Sequence, residues 1–387
     1  MSRNDGSILL GFAGDVLVDR DEPSEVFTEV RGLLRDVDIL FANLESPYSD
    51  SPEIALTAPV AIVPRARNLD VFATAGFHVM SLANNHIIDG GHTAMLETRT
   101  RLRSQDVATC GAGENLADAR RPVILERGGR RVGFLAYASV FPHGYEARST
   151  VPGLAPLRAY NHFHEPQAVY APGYLPRIET LPDPTDHRNM QRDIESLRRD
   201  VELMVMSFHW GDYSRPFVLT DHELRTARAC IDRGADVVIG HHHHALRGVE
   251  WYGGKPIFYG LGHFVFDLRL ELTEEALGRR GEFDPTSYQI GPREGWPLLP
   301  LHADTRMTLL AWAHADGNSI TGVGFVPCQM RPDGRVVAVD PGSAEGRAVI
   351  EYVTRCNESQ KLNGKIVSYD APVIGGHQSV RVVPIRA

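Results

Sequence analysis

The chain is poor in cysteine and has no long apolar run, and each shortage excludes a class of protein. Its 387 residues include four cysteines, which lie far apart at positions 110, 230, 328 and 356 and form no Cys-x-x-Cys pair. A disulfide framework or a cysteine zinc site is therefore not expected, and a reducing cytoplasm fits. No apolar stretch reaches the roughly eighteen residues of a membrane span, and the apolar run near the start is too short for a signal-peptide core.

Positive charge is also scarce. The 40 lysines and arginines stand against 49 aspartates and glutamates, which gives a formal net charge of −9 at pH 7. A nucleic-acid partner therefore has no electrostatic footprint in this sequence. The length allows a sizeable core. We expect a single domain over residues 1–387, whose partner is a small molecule or a peptide.

Short apolar runs typical of strands alternate with helical segments through residues 7–267, which predicts an α/β fold. Strands are predicted at 8–13, 38–43, 78–83, 122–126, 131–138, 203–208, 237–240 and 256–259, and helices at 23–34, 68–75, 93–105, 190–200 and 221–233. Residues 141–187 are rich in proline, glycine and aromatic residues, and we expect an irregular insertion that covers substrate. A second irregular or helical insertion is predicted at 270–295. Within the C-terminal part, 300–387, paired strands are predicted at 305–313 and 320–327 and a helix at 343–355.

The most informative pattern is a set of polar residues at the ends of predicted strands. A run of four histidines, His241–His244, follows directly after the strand that ends at Gly240. The other strand ends carry residues that bind metal or move protons: Asp15, Glu45, Asn85-His86, His209 and His263. In sheets with helix crossovers, ligands bind outside the carboxyl ends of the strands. Turn chemistry does not explain so many such ends in one chain, so the sequence predicts one shared site.

These residue types are ligands for Zn, Mn or Fe, which suits a hydrolytic centre with one or two metal ions. Two ions about 3.5–4 Å apart polarise an ester or amide oxygen and generate hydroxide near neutral pH. By position, Glu45 would bridge the two ions, and His86 would lie just outside them as a general acid. Asp89 is interpreted as a turn or helix-cap residue. Three further residues are candidates for substrate binding: Asn84, Trp210 and His302.

Seven short blocks carry a family resemblance. In chain order within residues 7–267 they are Gly14-Asp15, Asn43-Leu44-Glu45, Ala83–Gly90, Gly111–Asn115, His209–Gly211, Gly240–His244 and Tyr259–Phe264. As a set they resemble the CapA-like (capsule or poly-γ-glutamate biosynthesis) branch of the calcineurin-like metallophosphoesterase superfamily. The resemblance implies a four-layered α/β/β/α sandwich with its site at the strand ends. It also implies a set of candidate metal ligands: Asp15, Glu45, Asn85, His209 and two among His241, His242 and His244, with His86 beside them.

Two positions depart from that family pattern, and the family itself departs from most metallophosphoesterases at a third. The family usually has proline at the position of His243 and asparagine at that of His263, and its first block, here Asp15–Leu17, lacks the Asp-x-His of most metallophosphoesterases. His263 is either a polar replacement that keeps a hydrogen bond or an added acid/base group. If its strand neighbours that of Asp15, the two residues could flank a substrate α-carbon. His302 is the alternative histidine partner for that role.

Three functions stay open at this point. The first is a metal-dependent hydrolase that acts on an amide, a peptide or a phosphoester. The second is a metal-independent peptide epimerase with Asp15 and a histidine as its acid/base pair, since the chain also resembles the CapA-like lasso-peptide epimerases. The third is a non-catalytic binding member of a biosynthetic pathway. The number of titratable groups at the predicted site favours catalysis.

Overall fold

The computed structural model describes residues 7–164, 176–268, 288, 290–291 and 293–385. The strands of the first half are β1 (Ser7–Leu17), β2 (Ile39–Leu44), β3 (Val79–Ser81), β4 (Ala108–Cys110), β5 (Ala112–Gly113), β6 (Val123–Arg127), β7 (Arg130–Ala138), β8 (Gly153–Leu154), β9 (Ala159–His164) and β10 (Arg177–Pro182). Those of the second half are β11 (Leu203–His209), β12 (Val237–His241), β13 (Val249–Tyr252), β14 (Lys255–Phe258), β15 (His263–Phe266), β16 (Met307–Asp316), β17 (Ser319–Met330), β18 (Val336–Ala338), β19 (Gly364–Val367), β20 (Val373–Ile374), β21 (His377–Gln378) and β22 (Val380–Pro384).

The helices lie between these strands. The α-helices are α1 (Arg31–Arg35), α2 (Asp70–Ala75), α3 (Gly91–Ser104), α4 (Leu116–Ala119), α5 (Pro184–Leu197), α6 (Asp221–Asp232) and α7 (Ala344–Gln360). Short 3-10 helices cover Pro23–Val30, Ala66–Leu69 and Ala303–Arg306. The helix predicted at 23–34 is thus confirmed as helical, although its first part is a 3-10 helix.

Most strands belong to two sheets. The larger sheet has ten strands in the order β19-β22-β17-β16-β1-β2-β3-β4, with β15 paired to β1 and β18 to β17. The smaller sheet has six strands in the order β13-β14-β12-β11-β7-β6. Strands β1 to β4 run parallel to one another, and so do β7, β11, β12 and β14. Each sheet therefore gathers several carboxyl strand ends at one edge.

The two sheets pack face to face, with helices on their outer sides. Phe41 of β2 stacks on Phe134 of β7 with the ring centroids 5.8 Å apart, so the inner faces share one core. Outside the larger sheet, Phe27 of the first 3-10 helix packs on Phe264 of β15. Outside the smaller sheet, α5 and α6 bury a second apolar cluster against β11 and β12. The four-layered α/β/β/α sandwich implied by the resemblance is confirmed.

Local chemistry sets where the helices of the smaller sheet begin. Helix α6 starts with a capping box, in which Thr220 and Glu223 satisfy each other's backbone N–H groups. Helix α5 starts at Pro184, because the carboxylate of Asp183 accepts the backbone N–H groups of Thr185 and Asp186, each at 2.8 Å. The helix predicted from residue 190 therefore begins six residues earlier than expected, since the cap was assigned to the insertion.

The insertion predicted at 141–187 is more regular than expected. Strands β9 and β10 pair antiparallel as a two-stranded ribbon, whose connecting residues 165–175, with Tyr170 and Tyr174, lie outside the described residues. Tyr160 and Phe163 are exposed on this ribbon, whereas Tyr145 is buried. The insertion predicted at 270–295 lies largely outside the described residues.

The C-terminal part completes the larger sheet. Strands β16 and β17 pair antiparallel, which confirms the strands predicted at 305–313 and 320–327, and α7 confirms the predicted helix. Strand β16 also pairs with Ser7–Phe12 of β1, so it belongs to the same sheet as the first predicted strand. Within the described ranges, no helix has the length and apolar character needed to cross a bilayer.

Replacing Phe134 with alanine is expected to lower the free energy of unfolding by roughly 3–5 kcal/mol, because the ring fills the core between the sheets. Urea unfolding followed by circular dichroism measures the change. Phe163→Ala is the matched control: this ring is 66% exposed, so a change within about 0.5 kcal/mol is expected. Equal losses in the two variants would contradict the face-to-face packing of the sheets.

Candidate active site at the strand ends

The polar residues predicted at the strand ends lie together. In the larger sheet Asp15 of β1 is the register partner of Asn43 on β2 and of His263 on β15. In the smaller sheet His209 of β11 is the partner of His241 on β12. The backbone N–H of His242 reaches across to the carboxylate of Asp15 at 3.2 Å, which joins the two sheets at this edge. The position predicted for the site is therefore where the side chains meet.

One set of potential metal-ligand atoms, the Glu45 group, consists of Glu45, His209 and His242, all buried and with ligand atoms within 4.8 Å of one another. His209 Nε2 is at its centre: it lies 3.6 Å from Glu45 Oε1, 3.1 Å from His242 Nδ1 and 2.6 Å from Asn85 Oδ1. Neither carboxylate oxygen of Glu45 accepts a hydrogen bond from any described residue. Buried carboxylates without a partner are costly, so this group is suited to hold a cation.

The electrostatics of the Glu45 group agree with that geometry. Burial, together with the negative charge of Asp15, raises the pKa of Glu45 well above its usual range. Burial also lowers the pKa values of His209 and His242 well below their usual range, and their proximity to neighbouring imidazoles adds to this. Both imidazoles are thus neutral near pH 7, which is the form that binds a metal.

A second set, the Asp15 group, consists of Asp15, His244 and His263, again all buried and within 4.8 Å. His244 Nδ1 lies 2.5 Å from His263 Nε2. Burial lowers the pKa of His244 to about 4 and that of His263 well below its usual range. Burial alone would raise the pKa of Asp15, but its contact with His241 and the nearby imidazoles hold it well below the usual range.

The four histidines of the run point in different directions. His242 and His244 have positive φ angles of 88° and 58°, and these turns place their rings in the Glu45 group and the Asp15 group. His241 Nδ1 lies 3.1 Å from Asp15 Oδ1, and its ring packs near Phe41. Of the three histidines left open, His242 and His244 each belong to one of the two groups, and the role of His241 as a ligand stays a prediction.

His86 lies at the rim of the site. Its side chain is 12% exposed, and its Nδ1 is 2.7 Å from the carboxylate of Asp89. Asp89 is fully buried and also accepts the hydroxyl of Tyr145 at 2.8 Å and the backbone N–H of Ile62 at 2.9 Å. The interpretation of Asp89 as a turn residue is confirmed, since it lies in the turn before α3, and its carboxylate also orients His86 and ties the site to distant segments.

Two residues predicted to bind substrate are buried supports instead. Trp210 is fully buried, stacks on Phe208 with centroids 4.5 Å apart and donates its indole N–H to the carbonyl of Tyr259. Asn84 is fully buried and donates to the carbonyl of Leu44 at 2.7 Å. Neither presents an atom to a ligand, so both predictions are corrected.

His302 belongs to neither group of described ligand atoms. Its ring stacks on that of Tyr288, with centroids 4.1 Å apart, and its Nδ1 accepts the backbone N–H of Asp304 at 3.2 Å. Its side chain is 25% exposed, which leaves the ring reachable from solvent. Its predicted role toward substrate therefore stays a prediction.

Sequence reasoning missed two residues. Asn43 donates to Asp15 Oδ1 at 2.8 Å, and its position within the Asn43-Leu44-Glu45 block was the available signal. The ring of Tyr213 lies edge-on to both His242 and His244, with centroid distances of 5.7 and 5.5 Å. No sequence pattern marks Tyr213, because the turn after β11 brings it back over the histidines.

Comparison with known proteins agrees with the family resemblance seen in the sequence motifs. The family model described as "Bacterial capsule synthesis protein PGA_cap" matches residues 9–268. The chain belongs to this family. It is 26% identical over 265 residues to the PGA biosynthesis protein CapA of Bacillus subtilis, which covers 68% of this chain and 62% of that protein. It is 28% identical over 276 residues to the capsule biosynthesis protein CapA of Bacillus anthracis, covering 70% of this chain and 61% of that one.

The match to these relatives is partial. The chain spans about three-fifths of the length of the curated relatives it matches. Among solved structures, a hypothetical protein from Thermus thermophilus is 13% identical with a TM-score of 0.47, over 83% of this chain and 99% of that one. The region matched by the family model ends near β15 and contains both metal-ligand groups.

This PGA_cap member departs from the expected family pattern at His243, and the structure gives the residue a clear place. His243 Nε2 lies 2.8 Å from the buried carboxylate of Glu223, at the start of α6. The residue is thus anchored between His242 and His244, the two residues whose positive φ angles turn their rings into the site. A buried hydrogen bond to the carboxylate of Glu223 thus fixes the side chain that stands at the proline position.

Replacing Asp89 with alanine is expected to destabilise the protein, because the hydroxyl of Tyr145 and the backbone N–H of Ile62 would lose their acceptor. Each buried donor left unpaired costs roughly 1–3 kcal/mol of unfolding free energy. Chemical denaturation measures the loss, with Glu351→Ala on the exposed face of α7 as the control. A variant as stable as the wild-type chain would contradict the network drawn around Asp89.

Proposed function

We propose that this family member is a metal-dependent hydrolase that acts on an amide, a peptide or a phosphoester. The observation that carries the proposal is Glu45, a fully buried carboxylate whose two oxygens have no hydrogen-bond partner among the described residues and face neutral imidazoles. A cation that the imidazoles also bind would stabilise the ionised form of this carboxylate. The donor set therefore fits a divalent metal such as Zn, Mn or Fe.

The residues that would hold the metal are those of the Glu45 group, with Asn85 as an oxygen ligand beside His209. The negative charge of Asp15 raises the pKa of Glu45, and a cation bound by Glu45 would also offset that repulsion. When bound, the metal would polarise the substrate oxygen and lower the pKa of a water molecule. Asn43 and His241 hold Asp15 in place by their contacts with its carboxylate.

His86 is suited to protonate the leaving group. Because its Nδ1 contacts the carboxylate of Asp89, its Nε2 is the nitrogen left to face a ligand. Tyr213 lies over His242 and His244 and would contact the part of the substrate beyond the scissile bond. The names of the Bacillus relatives refer to capsule and PGA biosynthesis, and a glutamate amide polymer is thus a suitable first substrate class.

The state of the cysteines bears on the cellular location. The four cysteines are free and buried. Free thiols persist in a reducing compartment, so we propose that the protein works in the cytoplasm, on a small-molecule or peptide substrate.

Protein purified without a tag or chelator is expected to contain about one equivalent of Zn, Mn or Fe per chain in the Glu45 group, or about two if a second ion is bound, by elemental mass spectrometry. His209→Ala is expected to lose the ion of the Glu45 group, because His209 Nε2 is the centre of that group. His162→Ala on the exposed β9 ribbon is the matched control and should keep the full content. Folded wild-type protein that takes up no metal when titrated with Zn²⁺ or Mn²⁺ would overturn the hydrolase proposal.

A second candidate is metal-independent epimerisation of a peptide, which a different observation favours. His302 accepts a backbone N–H at Nδ1, so its proton is on Nε2, and the ring is partly exposed. Asp15 has a lowered pKa and is ionised near neutral pH. A base that takes the α-proton on one face and an acid that returns a proton on the other invert the carbon. His263, the register partner of Asp15, and His302 are the two candidates for the acid that returns the proton.

If the protein is an epimerase, chelator-treated enzyme in D₂O should incorporate deuterium at an α-carbon of its peptide substrate. Asp15→Asn and His302→Asn should each reduce the incorporation rate by roughly 100-fold or more, the range for loss of a general base or acid. His314→Asn, on β16, is the control and should keep the full rate. Mass spectrometry of the peptide gives the rate. Turnover abolished by the chelator would contradict this candidate and support the hydrolase.

The third candidate function is a non-catalytic member that binds a polymer or a biosynthetic partner. The same assays distinguish it from the hydrolase and the epimerase. Binding would persist in Asp15→Asn while no substrate is turned over by the wild-type chain, with or without metal.

A further inference from the structure

The Asp15 group contains an imidazole that the family pattern does not provide. The first block of the chain offers Asp15 alone, because Leu17 stands where most metallophosphoesterases have the histidine of Asp-x-His. The side chain of Leu17 is fully buried in an apolar cluster with Phe266 and Leu299, so strand β1 supplies no second ligand. A metal ion bound beside Asp15 needs its nitrogen ligands from elsewhere.

The topology brings a replacement from the neighbouring strand. Strand β15 runs parallel to β1, and His263 is the register partner of Asp15. The ring of His263 is fixed by stacking on Phe266, with centroids 3.9 Å apart, and its Nε2 lies 2.5 Å from His244 Nδ1. A nitrogen atom from the turn after β12 and one from the first residue of β15 thus converge beside one carboxylate in a buried space.

We propose that His263 is a metal ligand, which completes with Asp15 and His244 a site for a second divalent transition-metal ion. This inference rests on the proposed metal-dependent function and adds to it a ligand that replaces the missing histidine of the first block. Two imidazoles and one carboxylate favour Zn²⁺, Fe²⁺ or Co²⁺, whereas Mg²⁺ and Ca²⁺ prefer oxygen ligands. The site should therefore discriminate against the two common alkaline-earth ions.

The alternative is a hydrogen bond between two imidazoles, with His263 only supporting His244. The two alternatives predict different losses of metal affinity when His263 is replaced. Loss of a residue that supports a ligand typically costs roughly 10–100-fold in metal affinity. Loss of one of three protein ligands should cost more than that range, and it should remove the ion from the isolated protein.

The test uses the full chain, stripped with chelator and titrated with Co²⁺. Bound metal is counted by elemental mass spectrometry after gel filtration, and d–d absorption reports the coordination. The wild-type chain is expected to bind about two equivalents, and His263→Asn, which installs the family's residue, about one. His162→Ala is the matched control and should bind as the wild type does. Excess Mg²⁺ should not displace Co²⁺.

The outcomes separate this inference from the proposed function. Two equivalents in the wild-type chain and in His263→Asn, with affinities within about 100-fold of each other, would overturn the ligand role of His263 and leave the hydrolase proposal intact. No Co²⁺ bound by the wild-type chain would overturn both. Loss of one equivalent in His263→Asn, with the d–d bands of the other site retained, supports the assignment.

A second measurement keeps the test decisive if His263→Asn does not fold. His209→Ala removes the centre of the Glu45 group and keeps the Asp15 group. X-ray absorption at the Co edge of this variant, loaded with a single ion, counts its imidazole ligands. Two imidazoles support His244 and His263 as a pair, and one imidazole overturns the inference.

Discussion

The site depends on the removal of water from two carboxylates that lie close together. Asp15 and Glu45 are both fully buried where the two sheets meet. Asp15 is stabilised as an anion by Asn43, His241 and the backbone N–H of His242, and its pKa is lowered. Glu45 has no such donors among the described residues, and its pKa is raised by burial and by Asp15. The carboxylate of Asp15 thus has its partners within the protein, whereas the carboxylate of Glu45 is available to a bound cation.

This arrangement requires backbones to approach closely at the strand ends. A Cβ atom on Gly14 would lie 2.0 Å from the carbonyl oxygen of Gly262, and one on Gly240 would lie 2.0 Å from that of Tyr259. Each glycine directly precedes a site residue, Asp15 in one case and His241 in the other. Any larger residue would push the strand away from its neighbour, and the side chains that follow would no longer converge.

The location of the site was predictable from sequence, and the direction of several side chains was not. Parallel strands gather their carboxyl ends at one edge, so Asp15, Glu45 and His209 could be placed together from the strand pattern alone. Four identical histidines carry no such signal, because their directions depend on two positive φ angles and on the anchor of His243 to Glu223, twenty residues earlier. The role of Asp89 was missed for a similar reason, since its partner Tyr145 is fifty-six residues away.

The C-terminal strands, which lie beyond the family match, are also part of how the site is built. Strand β16 pairs with one edge of β1 along Ser7–Phe12. Beyond that point, Asp15–Leu17 of β1 pair with β15 instead. This exchange of partners at Gly14 is what sets His263 beside Asp15. Without β16, the first half of β1 would be an edge with unpaired backbone groups. A chain cut after the family match would therefore keep every proposed metal ligand and lose the strand that aligns them.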